Sequence, residues 1–110
     1  MKEGQRLWEV KITTKAGQDM ARMLKDGVLT EDDQIVIRQW AQSIIDFGPE
    51  SIRVEGSIWK DHELSGEWVG HRASSFSTRG RIIYKIEGRL VRVLVVRVTA
   101  THDYEKEKKS

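Results

Sequence analysis

The chain contains no cysteine and a single proline. Without cysteine there is no disulfide framework, no thiol nucleophile and no cysteine-based zinc site, and a reducing compartment such as the cytoplasm suits the composition. No apolar run reaches the length of a signal peptide or a membrane span. Nor does one charge dominate: 19 Lys and Arg against 17 Asp and Glu leave a formal net charge of +2. At 110 residues the chain is long enough for one modest core and too short for two.

What is present is unevenly placed. Arg72, Arg79, Arg81, Arg89, Arg92 and Arg97 all fall in the second half, and guanidinium forks match the geometry of phosphate. A solvated strand face accounts for the same arginines on charge alone. Residues 59–72 crowd together Trp59, Lys60, Asp61, His62, Glu63, Glu67, Trp68, His71 and Arg72, with Gly66 and Gly70 between them. Glycine costs about 1 kcal/mol per position inside a helix. The stretch therefore reads as a loop that delivers a side chain, followed by a strand starting near Trp68.

In chain order, Trp8, Val10 and Ile12 alternate with Glu9 and Lys11, the period of a half-buried strand. Thr13 or Thr14 then caps a helix with Ala16, Met20, Met23 and Leu24 on one face, stopping at Gly27. Thr30 followed by Glu31, Asp32 and Asp33 opens a second helix with an acidic first turn. Val36, Ile37, Trp40, Ala41 and Ile44 give its apolar stripe, and Gly48-Pro49 ends it. Ile52, Val54 and Ile58 alternate as a short extended piece. Thr78-Arg79-Gly80 and Glu87-Gly88 are turns around a strand at Arg81–Ile86, with positive φ expected at Gly88. From Arg89 to Ala100, Val91, Val93 and Val95 share one face and Leu94, Val96 and Val98 the other, as in a strand inside a sheet. The order strand, helix, helix, strands predicts an α+β domain, with both helices on one face of a mostly antiparallel sheet of about four strands. Residues 1–104 form this single domain, and 105–110 are a mixed-charge tail expected to be disordered.

Parity on such a sheet puts Ile82, Tyr84 and Ile86 toward the helices and Arg81, Ile83 and Lys85 on the open face. Arg97 and Thr99 share a face of the next strand, which runs on into Thr101-His102-Asp103-Tyr104. Two groups that titrate near neutrality beside an arginine suffice for RNA cleavage by proton transfer. One takes the 2′-hydroxyl proton, the arginine stabilises the added charge, and the other protonates the leaving 5′-oxygen. Other readings of the same residues stay open. His62 and His71 are equally consistent with ordinary loop and strand histidines, and His102-Asp103 with a local turn. Tyr84 sits at a core position. Trp59 and Trp68 serve as loop anchors or as base-stacking platforms. No pair of histidines has the helical spacing of a metal motif.

Lys60-Asp61-His62, Leu64, Gly66, Trp68, Gly70 and Arg72, then Arg81-Ile82-Ile83-Tyr84-Lys85 and Thr101-His102, resemble the bacterial toxins of the RelE superfamily, above all the YafQ branch. The resemblance implies an endoribonuclease that cuts mRNA in the ribosomal A site, works without a cofactor and is held inactive by a cognate antitoxin. It implies no membrane, and no DNA except through the antitoxin complex. Carried over, His62 matches the loop histidine, His102 the histidine near the chain end, and Arg81 the arginine that contacts the scissile phosphate. Tyr104 lies near the terminal tyrosine of related branches and is expected to orient RNA. Where the YafQ branch has a further histidine this chain has Ser75, and where it has an Asp, Arg79 is nearby. Lys60, Arg72, Ser75, Arg79, Lys85 and Arg97 are the expected RNA contacts, and an acidic antitoxin segment is expected over Arg72, Arg79 and Arg81. Within this reading His62 is the general base and His102 the general acid, its pKa raised by Asp103. Two alternatives remain: a ParE-like toxin that inhibits gyrase, and a non-catalytic RNA- or protein-binding module.

Overall fold

The computed structural model describes residues 7–99. The expectations for His102, Tyr104 and the charged tail lie outside the described residues. Within them, strand β1 (Glu9–Ile12) leads into helix α1 (Thr14–Lys25) and helix α2 (Glu31–Phe47). Strands β2 (His62–Glu63), β3 (Arg72–Ser75), β4 (Gly80–Glu87) and β5 (Leu90–Val98) follow. The sheet order is β1-β5-β4-β3-β2.

The sheet thus has five strands rather than about four, and it is mixed: β1 runs parallel to β5, while the other pairs are antiparallel. The extra strand is only two residues long, below the length at which alternation shows in a sequence. Both helices start where the caps lie. Thr13 Oγ1 accepts from the Ala16 N–H at 3.2 Å. The Thr30 hydroxyl and Asp33 carboxylate exchange bonds with each other's backbone N–H, both at 3.0 Å, in a full capping box. Ala16, Ile37, Trp40 and Ile44 then pack on Ile82, Tyr84, Val91, Val93 and Val96 of the sheet, all buried. The Trp40 and Tyr84 rings meet edge to face at 5.4 Å.

Three local expectations change. Pro49–Ile52 is a short 3-10 helix and not an extended piece, with Ile52 buried and Val54 and Ile58 exposed; proline at its start presets the helical φ. The strand expected near Trp68 begins at Arg72, because the preceding loop closes on itself: Trp68 N–H bonds to Ser65 O and His71 N–H to Trp68 O. The faces of β5 do not alternate evenly. The register steps from Ile83↔Val95 to Tyr84↔Val93, leaving Leu94 as an extra residue, so Val91 and Val93 share the core with Val96. Gly88 has φ 62°, as the turn requires.

Candidate active site

The face of the sheet away from the helices carries a small cavity of about 140 Å³. Ala73 and Ile83, buried cross-strand neighbours, are among its lining residues, with Leu64 and Trp68, and His62, Arg81 and Arg97 complete it. Register explains the meeting: His62 pairs with Ala73, which pairs with Ile83, while Ser75, Arg81 and Arg97 form the next row on the same face. Arg81 lies beside a tight turn. A Cβ on Gly80 would collide with the Phe76 ring and come within 2.7 Å of Ser77 Oγ, so only glycine lets the turn close there. Arg81 Nη1 donates to the carbonyls of Gly80 (2.8 Å), Thr78 (3.2 Å) and Ser77 (3.3 Å). Those bonds use one nitrogen of the fork. Among the described residues no carboxylate forms an ion pair with Arg81 or Arg97.

A second groove, of about 410 Å³, shares Arg81 with the first and is lined by Lys60, Ser75, Ile58 and Trp59 among others. Four expected contacts, Lys60, Ser75, Arg81 and Arg97, therefore line one connected surface with His62. Arg79 is exposed on the adjoining turn. Lys85 is on the same face but bridges to Glu87 at 3.2 Å, next to Arg92, which bridges to the same carboxylate at 3.0 Å. Those two cations hold the Glu87 carboxyl below its usual range.

Arg72 is not with them. It stands three residues before Ser75 and so takes the opposite parity, facing the helix side opposite Tyr84. There its Nε donates to Asp61 Oδ1 at 2.6 Å. Burial opposes the Arg72 charge, but the bond to Asp61 and its field outweigh that and raise the pKa. His71 is also apart, edge to face with Trp68 at 5.1 Å and lining a separate groove with Arg53 and Arg72.

No known family profile matches the chain, and no curated protein matches its sequence. Among solved structures, YafQ from E. coli strain BL21(DE3) superposes with a TM-score of 0.65, at 18% identity over 86% of this chain and 97% of that one. A chain of the E. coli DinJ-YafQ toxin-antitoxin complex gives 0.63 at 18% identity, covering 84% and 92%. The YoeB dimer from Staphylococcus aureus gives 0.62 at 13% identity, covering 84% and 98%. The chain has the RelE-like toxin fold.

Within that fold the residue the sequence reading undervalued is Asp61. Its side chain is fully buried, and besides Arg72 its carboxylate accepts from the Ser74 hydroxyl (2.6 Å) and the Tyr84 hydroxyl (2.7 Å). Ser74 in turn accepts from Trp40 Nε1 at 2.9 Å. Burial first, then the bond to Asp61, pushes the Tyr84 hydroxyl well above the usual tyrosine range, which keeps it a donor. A buried carboxylate is tolerated only when so satisfied. The available signal was the placement of Asp61 directly before His62: adjacent strand residues point to opposite faces, so an exposed His62 implies an inward Asp61. Lys60, one residue earlier, has φ 47°, a left-handed conformation that costs a non-glycine residue about 1–3 kcal/mol. Its carbonyl lies 3.1 Å from His62 Nδ1. Among the described residues no group of three or more His, Cys, Asp or Glu side chains is placed to hold a metal ion, and no helix is long and apolar enough to cross a membrane.

Proposed function

We propose that the chain is the toxin of a type II toxin-antitoxin pair, an endoribonuclease that cuts mRNA on the ribosome. The observation that supports this reading is the convergence of the exposed His62 with Arg81 and Arg97 on the face free of helices. A carbonyl only accepts, so Nδ1 is the donor in the contact from His62 to Lys60 O, and the neutral imidazole held this way carries its lone pair on Nε2. In this mechanism Nε2 takes the proton of a 2′-hydroxyl, and the freed oxygen attacks the neighbouring phosphorus. The two arginines stabilise the added negative charge. The bond from phosphorus to the 5′-oxygen then breaks, and His102 protonates the departing oxygen while Tyr104 orients the strand. DNA, lacking the 2′-hydroxyl, is not cut by this route. Lys60 and Ser75 extend the RNA track beyond Arg81.

A cognate antitoxin belongs to the proposal because the similar structures include the DinJ-YafQ and YoeB-YefM complexes. The cytoplasm is the compartment in which such a protein meets translating ribosomes. The test is to induce the chain alone in bacteria and map mRNA ends with and without translation. Growth arrest with cuts inside translated frames supports the reading. Intact mRNA with inhibited gyrase points to the ParE-like alternative, and neither effect to a binding module.

A further inference from the structure

We propose that the buried Asp61 carboxylate is a positioning residue for His62, clamping the loop from the helix side of the sheet so that the imidazole presents Nε2 on the other side. The proposal rests on His62 being the general base. Asp61 lies between the strained Lys60 and the catalytic candidate, and its three hydrogen-bond donors come from two strands: Arg72 and Ser74 from β3, Tyr84 from β4. The clamp is thus referenced to the rigid centre of the sheet. Trp40 of α2 extends it by one more bond through Ser74. β2 is two residues long and pairs on one side only, with β3, so its own ladder holds His62 weakly. The second tether of His62 is the Lys60 carbonyl, which is aimed at Nδ1 by the left-handed Lys60 backbone. That conformation persists only while its surroundings enforce it, and Asp61 is the adjoining residue with bonds to the core.

Loosening Asp61 therefore lets Lys60 relax toward an ordinary backbone conformation, withdraws its carbonyl from Nδ1, and allows the imidazole to mix tautomers and turn. Arg72, Ser74 and Tyr84, the three donors to Asp61, and Trp40 behind Ser74 all lie on the helix side of the sheet, so the effect reaches chemistry only through His62. Misplacing a catalytic group by about 1 Å lowers rate by about 10²-fold.

The test uses the full chain and two variants. Asp61→Asn keeps the shape but turns an amide N–H₂ toward donors; Tyr84→Phe, which keeps the ring against Trp40, removes one bond alone and serves if the first variant does not fold. Two readouts are taken: the His62 ring nitrogen resonances, which report the tautomer without any substrate, and kcat and KM for RNA cleavage across pH. The expected result is a His62 resonance dominated by the Nδ1–H form in the parent and mixed in the variant. It is accompanied by a kcat lower by about ten- to a hundred-fold at nearly unchanged KM, with the acidic limb of the pH profile, which reports the general base, displaced. Unmoved His62 resonances in a folded but less stable variant overturn the proposal, whatever cleavage does, and leave Asp61 as a purely structural group. Shifted resonances in a protein whose parent cuts no RNA retain the clamp and remove the nuclease reading.

Discussion

Arg81 and Arg97 are direct cross-strand partners on β4 and β5, and among the described residues no carboxylate pairs with either. Like charges placed opposite each other destabilise a sheet. Elsewhere the protein pairs such charges: Lys85 and Arg92, the next cationic pair along the same two strands, share Glu87. The uncompensated pair lies beside His62, where an anion would relieve it.

Arg97→Ala should therefore leave the fold as stable as the parent or slightly more so, while lowering RNA cleavage by about 10²–10³-fold, the usual worth of one donor to a developing charge. Arg81→Ala should lose as much activity, with a small loss of stability from its bonds to the turn carbonyls. Thermal unfolding and single-turnover cleavage check both; parental cleavage by either variant removes that arginine from the mechanism.

Gly80→Ala should destabilise by about 1–3 kcal/mol, since the new methyl overlaps the Phe76 ring and the core must shift to admit it. Denaturant unfolding measures the loss. Full stability would mean that the turn beside Arg81 is softer than its packing implies.

Alkaline stability should follow Tyr84. Burial, then the Asp61 bond, raise its folded-state pKa above the ordinary 10.0. The folded state therefore favours the protonated hydroxyl, so this contribution is complete below pH 10 and is lost as pH rises through the interval up to the folded value. Unfolding midpoints across that range should fall more steeply for the parent than for Tyr84→Phe. Parallel curves would show that the hydroxyl ionises as freely folded as unfolded.

A substrate whose 5′-oxygen is replaced by sulfur needs little protonation of its leaving group. It should rescue His102→Ala and leave His62→Ala inactive. The reverse pattern exchanges the two roles.

Antitoxin association should slow as salt rises, and Arg79→Glu and Arg97→Glu should each reduce the association rate more than Arg72→Glu changes it in a variant that folds. Arg72 is set apart because its charge is already engaged by Asp61 on the other side of the sheet. Stopped-flow mixing at several ionic strengths provides the comparison.

The parts of the fold written in local chemistry were legible. Thr30 and its three following acids announce α2, and the stripe through Ile37, Trp40 and Ile44 identifies its buried face. Pairing between distant segments was not, because alternation in β1 says that it is a strand without saying that its neighbour is β5 or that the two run parallel. Parity carried Arg81, Lys85 and Tyr84 to their observed faces. It misled at Leu94, where one extra residue resets the alternation; Arg72 was grouped with the RNA contacts by resemblance, and its face depends on where β3 begins. In the candidate site, His62 stood out as an exposed titratable group in a glycine-rich loop. The role of Asp61 depends on three donors that come from positions 72, 74 and 84, and no spacing within one segment encodes their meeting.

The parallel pairing of Glu9 with Leu90 ties one of the first described strands to the last. During synthesis, β1 and the helices leave the ribosome long before β5 exists, and the inner strand they need is still missing. The hairpin of β4 and β5 has the sheet's shortest connection, and it is completed only as β5 is made. Chains that stop ahead of Leu90 lack the strand that joins β1 to β4 and should therefore not fold.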